Sequence, residues 1–565
     1  MKLLFKGGRV VNVFTGEITP SDVLVEDGVI LGVGDYRSDA ADTVVDCVGK
    51  TLCPGFIDGH IHIESTMLSP AEFARAAVVR GTTAVVADPH EIANVSGAEG
   101  IEYMLQASEG LPVSVYIALP SCVPATPYCE SGAVLEAEEL EPFYENERVV
   151  ALGEVMNYVG VINRDNRLLR KIERAKANGR VINGHAPLLS GEGLSTYIGY
   201  GVSDDHECSS AQEALERIRL GERIMIRQGT AAKNLSALLP LFDGDSKFRC
   251  LLVSDDKHPA DLLSVGHIDD IIRLAIAAGK NPVDAIRMAS LNAAEHFGLK
   301  GLGAIAPGFT ADILVLDSLD EVSVSAVYKN GIQVAERGRA YDFEIPAVDK
   351  GIEKAVRGSF NMKNITEEDL TIKLEGVIDC RVISVIKGEL LTEEKITSVN
   401  FSKNGGIDTE RDIIKLAVIE RHNNTGHIGL GFIHGIGLKR GAIASSVSHD
   451  SHNLIVIGAS ESDMAAAANR IKEIGGGLAV VSEGRVISEM PLPIGGLMSD
   501  LSCADAAEQN AAVRRAVHAL GVPMDVEAFM TTAFVSLPVI PHLKMTTHGL
   551  IDVTRQELLP LTVDR

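Results

Sequence analysis

The chain of 565 residues contains no tryptophan, and aromatic residues make up only 4% of it. Proteins that bind single-stranded nucleic acid commonly stack bases on aromatic side chains, so this scarcity disfavours that class. Basic residues are also in the minority: 52 Lys and Arg stand against 77 Asp and Glu, which gives a net charge of −25. Because such a surface repels phosphate backbones, we expect no nucleic-acid partner.

Two further absences bear on location. The eight cysteines form no Cys-x-x-Cys pair and lie scattered along the chain, which is typical of reduced thiols rather than of a disulfide framework. No uncharged apolar run approaches the about 18 residues that a membrane-spanning helix needs. The first eight residues, Met-Lys-Leu-Leu-Phe-Lys-Gly-Gly, are too soon interrupted to form a signal peptide. We therefore expect a cytoplasmic protein with no membrane partner.

The pattern of apolar and turn-forming residues changes along the chain. Residues 1–50 and 301–340 show short apolar runs separated by Gly- and Asp-containing turns, a pattern typical of β-strands. Between them, short β-branched runs alternate with helical stretches, which predicts a parallel sheet with crossover helices.

Eight runs in this middle region are each predicted to form a strand. They are residues 55–62, 83–88, 113–119, 149–154, 180–185, 201–206, 223–227 and 249–255. Eight strands over roughly 205 residues fit one (β/α)8 barrel of the TIM type. We expect an α/β fold of three parts: this TIM-like barrel over residues 53–300, a small discontinuous β-sandwich domain from residues 1–52 plus 301–345, and a C-terminal α+β domain over residues 346–565.

Side chains that can bind a metal end five of the predicted strands, where barrels of this type carry their reacting groups. They are His60, His62, Glu154, His185, His206 and Asp255. His60 and His62 lie two apart on one strand, so both imidazoles face the same side and can reach one cation. Four imidazoles and two carboxylates suit one or two divalent ions of the Zn, Mn or Fe group. Glu154 is placed to bridge two such ions.

Several of these positions have a second interpretation. Glu154 also fits a salt bridge at the barrel mouth. Asp256 competes with Asp255 as the ligand, although the alternation along the strand favours Asp255. His90 and Glu91, which follow the second strand, either act in the site or begin the next helix, where a first-turn Glu is stabilising.

Longer strings of the sequence resemble a known family. Pro-Gly-Phe-Ile-Asp-Gly-His-Ile-His at 54–62 resembles the first-strand signature of the amidohydrolase superfamily. Further strings resemble the bacterial and archaeal adenine deaminases over nearly the whole chain. They lie at 87–95, 120–126, 153–157, 183–187, 204–207, 227–231, 254–256 and 448–453. Many superfamily members place a carboxylated Lys at the fourth strand, whereas Glu154 stands here, which counts against a dihydroorotase or hydantoinase.

The resemblance implies hydrolytic deamination of adenine to hypoxanthine and ammonia in purine salvage, with a metal-activated hydroxide attacking C6. Adenine and water are then the substrates. Mn²⁺ is the expected cofactor, with Fe²⁺ or Zn²⁺ as alternatives, at two ions per subunit. The implied catalytic residues are Asp255, which moves the hydroxide proton toward the leaving amine, Glu154, and Glu91, which protonates a ring nitrogen, with Glu207 as the second choice for that role. The substrate-binding candidates are His90, Glu207, Ser448, His449 and Asp450.

Two other hypotheses stay open at this point. The first is another amidohydrolase-type hydrolase of a cyclic amidine or amide on the same barrel. The second is a catalytically silent barrel that serves in assembly or binding, against which the complete set of six metal-binding side chains argues. As for most soluble enzymes, we expect a homo-oligomer, with a dimer as the first choice.

Overall fold

The computed structural model describes residues 1–230, 232–387, 389 and 391–563. The chain begins with a run of short strands joined by tight turns. They are β1 Lys2–Lys6, β2 Arg9–Asn12, β3 Glu17–Pro20, β4 Asp22–Glu26, β5 Val29–Gly34, β6 Thr43–Asp46 and β7 Thr51–Pro54.

The middle of the chain alternates strands with helices. The strands are β8 Phe56–Ile61, β9 Thr82–Ala87, β10 Ser114–Leu119, β11 Val149–Val155, β12 Val181–Gly184, β13 Asp204–Asp205, β14 Arg223–Arg227 and β15 Cys250–Val253. The helices are α1 Pro70–Val78, α2 His90–Ala107, α3 Ala137–Leu140, α4 Tyr158–Ile162, α5 Asn166–Ala177, α6 Gly191–Gly199, α7 Ala211–Leu220, α8 Leu235–Leu238, α9 Pro259–Ser264, α10 Ile268–Ala277, α11 Pro282–Met288 and α12 Leu291–Phe297.

These strands form two parallel sheets that follow one another around a TIM-like barrel. The order is β12-β11-β10-β9-β8 in one sheet and β13-β14-β15 in the other. A parallel bridge between Ile61 and Asp255 joins the sheets at one seam, and the Ser203 amide donates to the Ile182 carbonyl (3.0 Å) at the other. Every residue of β8 and β9 is buried, as expected for strands covered by helices. The strand count and the parallel, barrel-type architecture predicted from the sequence are confirmed within the described residues.

The two β-rich flanks share one sheet although they are far apart in sequence. The second flank contributes β16 Ile313–Ser318, β17 Ser323–Lys329, β18 Ile332–Glu336 and β19 Arg339–Ala340. Strand β16 pairs antiparallel with β7 in a seven-stranded sheet of order β19-β18-β17-β16-β7-β2-β3, and a smaller sheet has the order β5-β4-β1-β6. Phe5, Leu52, Ile313 and Tyr328 pack in one buried cluster between them. The predicted domain boundaries stay a prediction.

The remainder of the chain is mixed α and β. Its elements are α13 Lys350–Arg357, α14 Glu367–Leu370, β20 Val377–Val385, β21 Thr392–Asn400, β22 Ile414–Ile419, β23 Ile428–His434, β24 Ala442–Ser445, β25 Leu454–Gly458, α15 Glu461–Glu473, β26 Gly477–Ser482, β27 Arg485–Pro491, α16 Cys503–Ala519, α17 Ala528–Ala533, β28 Leu543–Thr546, β29 Gly549–Asp552 and β30 Glu557–Leu559. Strands β20 to β27 form one sheet of order β21-β20-β23-β22-β25-β24-β26-β27.

This C-terminal region lies against the loops at the barrel mouth. The Ser499 amide donates to the Met67 carbonyl (2.9 Å), and the Asn453 side chain donates to the Glu130 carbonyl (2.7 Å). Its residues are therefore within reach of the carboxyl ends of the barrel strands. Among the described helices, none combines the length and the apolar character that a bilayer crossing requires.

Arg217 is a buried charged residue whose replacement tests how much buried ion pairs contribute to the stability of the barrel. Its fully buried guanidinium lies 3.4 Å from both Asp205 and Glu222 and donates to the Ala186 carbonyl. We expect Arg217→Met to cost about 3 kcal/mol, because one partner of a buried ionic cluster is lost. The measurement is the thermal unfolding midpoint, with exposed Arg219→Met on the same helix as the control. Equal midpoints for the two variants would contradict the assignment.

Candidate active site

Glu154 lies at the centre of four imidazoles at the barrel mouth. Its Oε1 is 2.9 Å from Nε2 of both His60 and His62, and its Oε2 is 2.8 Å from His185 Nδ1. His206 Nε2 is farther, at 3.8 Å from Oε1. Each of these side chains ends or follows a barrel strand, so the parallel arrangement of the strands brings them together.

Asp255 completes the cluster from the eighth strand. Its Oδ1 lies 3.2 Å from His62 Nε2 and 3.6 Å from His60 Nε2. The neighbouring Asp256 has a different surrounding, because its Oδ1 accepts a hydrogen bond from the Ser65 hydroxyl (2.6 Å). The structure thus places Asp255, and not Asp256, beside the imidazoles.

The cluster has the donor set of a divalent metal site. The ligand atoms of His60, Glu154, His206 and Asp255 lie within 4.8 Å of one another, and all four residues are buried. His60 Nε2 and His185 Nδ1 have no hydrogen bond of acceptable geometry, although carboxylate oxygens lie beside them. Nitrogen and oxygen donor atoms that lie close together without forming hydrogen bonds fit a cation of the Zn, Mn or Fe group between them.

Electrostatics at the cluster favour added positive charge. Burial alone would keep the His60 imidazole neutral, but the carboxylates of Asp255 and Glu154 outweigh it and raise the pKa of His60 to about 9. Burial also opposes the charged form of His185. The carboxylates of Glu207 and Glu154 outweigh this effect, so the pKa of His185 rises to about 9. A buried site with this negative potential attracts protons or a dication, which then compete for the same nitrogens.

Residues behind the cluster hold it in place. Asp58 Oδ1 accepts from the backbone amides of His60 (3.2 Å) and Ser254 (3.1 Å), which ties the first strand to the eighth. Asp88 Oδ2 accepts from the Glu154 amide (2.9 Å). A Cβ at Gly153 would lie 2.2 Å from that same oxygen, so only glycine leaves room for Asp88 there.

Arg227 is a site residue that the sequence analysis did not single out. Its guanidinium donates to Asp255 Oδ2 (2.8 Å) and to both Glu207 oxygens (2.6 and 3.0 Å). Burial opposes the charged form of Asp255, but Arg227 and the adjacent histidines hold its pKa well below the usual value. Arg227 ends β14, so the strand-end rule that found the histidines could have found it too.

Above the cluster is a pocket that opens to solvent. His90, Glu207, His449 and Asp450, all predicted substrate-binding residues, line it together with every predicted metal-binding side chain except His60. An apolar wall that the sequence analysis missed comes from the C-terminal region and includes Phe534, whose ring stacks on His449 at 4.4 Å between centroids. Leu537, Val539 and Ile540 continue this wall.

Two predicted residues lie behind the pocket wall. Ser448 makes a buried hydrogen bond to Ser536 (2.6 Å). Glu91 is fully buried, and its Oε1 lies 2.6 Å from Ser65 Oγ, whose hydroxyl group donates to Asp256. Burial, reinforced by the carboxylates of Glu64 and Asp256, raises the pKa of Glu91 to about 8.

Loss of one cluster imidazole tests the metal site. We expect His185→Ala to lower the content of bound divalent metal, because one nitrogen donor facing Glu154 is removed. The measurement is metal content by mass spectrometry after loading and gel filtration, with exposed His542→Ala as the control. A His185→Ala protein that keeps its full metal complement would refute this ligand set.

Comparison with known proteins gives the family. Residues 51–334 match the model of the amidohydrolase family, and residues 389–557 match that of the adenine deaminase C-terminal domain. Adenine deaminase 2 of Carboxydothermus hydrogenoformans is 48% identical over 99% of this chain and 97% of its own length. The adenine deaminases of Desulfatibacillum aliphaticivorans and Halalkalibacterium halodurans are 46% and 43% identical, each over 98% of this chain and over 95% and 94% of their own lengths. The resemblance found in the sequence is confirmed, and the chain belongs to the adenine deaminase family of amidohydrolases.

Proposed function

We propose that this protein hydrolyses adenine to hypoxanthine and ammonia, as part of purine salvage. The observation that carries the proposal is the convergence of His60, His62, Glu154, His185, His206 and Asp255 at the barrel mouth, where all but His60 line a pocket with one apolar wall. A flat heteroaromatic ring fits such a wall, and the polar floor fits the atom under attack. The names of the relatives agree with this substrate.

The six side chains would hold the divalent metal, for which we propose Mn²⁺, with Fe²⁺ or Zn²⁺ as alternatives. We propose two ions per subunit, since Glu154 presents Oε1 to His60 and His62 and Oε2 to His185, as a bridging carboxylate does. When bound, such ions lower the pKa of a water molecule toward neutrality and so supply a nucleophile.

Asp255 acts as the base in this proposal. Its Oδ1 faces the histidines, while Arg227 Nη1 holds its Oδ2 at 2.8 Å. Because Arg227 and the histidines keep the carboxyl group ionised, Asp255 accepts the proton of the attacking water and passes it to the departing amino group. Glu207 is also paired with Arg227 and ionised, so it binds rather than protonates the substrate.

Asp450 and His90 orient the purine. Asp450 Oδ1 lies 3.7 Å from His90 Nε2, while its buried Oδ2 has no partner within the described residues. An ionised carboxylate with a free lone pair at the pocket wall is suited to accept an N–H of the base. His449, stacked on Phe534, continues the flat surface against which the ring lies.

Glu91 supplies the proton for a ring nitrogen through two intermediaries. With a pKa of about 8 it carries a proton at neutral pH. Its Oε1 and Asp256 Oδ1 each lie 2.6 Å from Ser65 Oγ, so the proton passes along Glu91, Ser65 and Asp256 to the pocket. A hydroxyl both accepts and donates, which makes this order chemically consistent.

The same proposal includes the organisation of the chain. We propose the division into residues 53–300, residues 1–52 plus 301–345, and residues 346–565, with the first as the catalytic barrel. The homodimer expected from the sequence stays a prediction. The alternative function is hydrolysis of another cyclic amidine or amide at the same cluster.

A spectroscopic assay tests the function. We expect the Mn²⁺-loaded protein to convert adenine to hypoxanthine, followed by the change in ultraviolet absorbance, and the chelated protein to be inactive. Adenosine, guanine, cytosine and dihydroorotate serve as the comparison substrates. Faster turnover of any of these than of adenine would favour the alternative function.

The pH dependence tests the role of Glu91. Its protonated form is present below about pH 8 and is lost above it, so we expect the rate to fall as pH rises through that value. The groups that face Glu91 are Glu64, Ser65, Asp256, His62, His90, His449 and His452. We expect Glu91→Gln to be about a hundredfold slower and to lack this alkaline decline.

The matched control is Glu99→Gln, an exposed carboxylate on the same helix α2. It should leave both the rate and the pH profile unchanged. If Glu91→Gln keeps the wild-type rate and the same decline, Glu91 is not the proton donor.

A further inference from the structure

A second group of metal-binding side chains lies at the surface, apart from the barrel cluster. Glu130, His427 and His548, here called the surface triad, each offer one ligand atom, and these atoms lie within 4.8 Å of one another. Glu130 Oε1 is 2.8 Å from His427 Nδ1, and Glu130 Oε2 is 3.8 Å from His548 Nε2. The two imidazole rings are 5.2 Å apart between centroids.

The three residues come from segments far apart in sequence. Glu130 lies in the loop that follows barrel strand β10, His427 directly precedes β23, and His548 lies in the turn between β28 and β29. The surface triad thus spans the junction between the barrel loop and the C-terminal region. A ligand bound there would connect all three segments.

We propose that the surface triad binds a divalent transition-metal ion of the zinc class. Two imidazole nitrogens and one carboxylate oxygen are the donor set that such an ion takes in sites with an open position. Tetrahedral bonds of about 2.0–2.1 Å place donor atoms about 3.3 Å apart. The three donor atoms of the triad already lie within 4.8 Å of one another, so small side-chain rotations bring them to that spacing. Water would occupy the fourth position.

The donor chemistry argues against Ca²⁺ or Mg²⁺ as the occupant. These ions prefer oxygen ligands, whereas two of the three donors here are imidazole nitrogens. The net charge of −25 favours cations near the surface in general but does not select among them. Selection for the zinc class therefore comes from the nitrogen donors.

The backbone around the surface triad is already held in place. The Glu130 carbonyl accepts from the Asn453 side chain (2.7 Å), the Thr547 hydroxyl donates to Glu130 Oε2, and Tyr128 donates to the Gln556 carbonyl (2.5 Å). These contacts position the ligands before an ion arrives, which reduces the ordering cost of binding.

An ion at the surface triad would also brace the active site. The same loop begins near Ser121, whose hydroxyl donates to the Glu154 carbonyl. On the C-terminal side, Asn453 lies three residues from the pocket residue Asp450. Zinc at the triad would therefore add a cross-link between the loop and the C-terminal region beside the Asn453–Glu130 hydrogen bond, without contacting the reacting groups.

Zinc stoichiometry of the full-length protein tests the proposal. Wild type, His548→Gln and Glu130→Gln are dialysed to equilibrium against micromolar free Zn²⁺, and bound zinc is counted by mass spectrometry. We expect both variants to bind one zinc ion per chain fewer than wild type, because each loses one of the three donor atoms of the triad. Crystals of the zinc-loaded wild type should show an anomalous peak among the three side chains.

His542→Gln is the matched control, since it removes an exposed histidine of the same region outside the triad. It should bind as much zinc as wild type. Equal zinc in wild type and both triad variants, or no anomalous peak at the triad, would overturn the proposal. Adenine turnover of the Mn²⁺-loaded, zinc-free proteins is measured separately, and we expect it to be unchanged in the variants, so the two proposals fail independently.

Discussion

The attraction between one buried carboxylate and four imidazoles governs this molecule. Glu154 lies in contact with His60, His62 and His185. Without these partners, burial would favour the neutral, protonated form of its carboxyl group. Burying unpaired charge is costly, so the cluster exists only because the surrounding histidines, and the cation they suit, balance it. The barrel supplies what this balance requires, since it delivers side chains from five strands to one point with little freedom to separate.

A ring of supporting contacts limits that freedom further. Asp58 ties the first and eighth strands beneath His60, Asp88 fixes the backbone of Glu154, and Arg227 fixes Asp255. Each support is itself a charged group that hydrogen-bonds to a cluster residue or to its backbone. Geometry in such a site is held by partners outside it, which is why a reacting group and its support have to be considered together.

Local rules account for what the sequence could predict. Two-residue periodicity and the position of ligands at strand ends identify His60, His62, His185 and His206, because both depend on neighbours along the chain. The apolar wall around Phe534 depends on a contact with residues more than 80 positions earlier, such as His449, and on barrel residues still more distant. No periodicity marks such a wall, since an apolar residue in a loop has the same appearance whether it lines a pocket or fills a core.

Side-chain direction, rather than burial, distinguishes the residues that meet at the cluster from Glu91, which is equally buried. Glu91 follows a strand end, as its neighbours do, yet its side chain points behind Ser65 rather than into the pocket. An arginine at a strand end is not a metal ligand, and the role of Arg227 follows from its two carboxylate partners, Glu207 and Asp255. Side-chain direction after a strand is set by the loop that follows, which short-range patterns do not determine.

The stacked pair of His449 and Phe534 has a consequence for how such an enzyme can change over time. The stacked rings, which we propose as the surface for the base, come from the C-terminal region, whereas the proposed metal-binding residues lie between residues 60 and 255. Mutation or recombination in the C-terminal region can therefore change which ring systems the pocket binds, while the metal-binding residues stay the same. An enzyme family with this arrangement can change the substrates that it accepts while it keeps the same hydrolytic reaction.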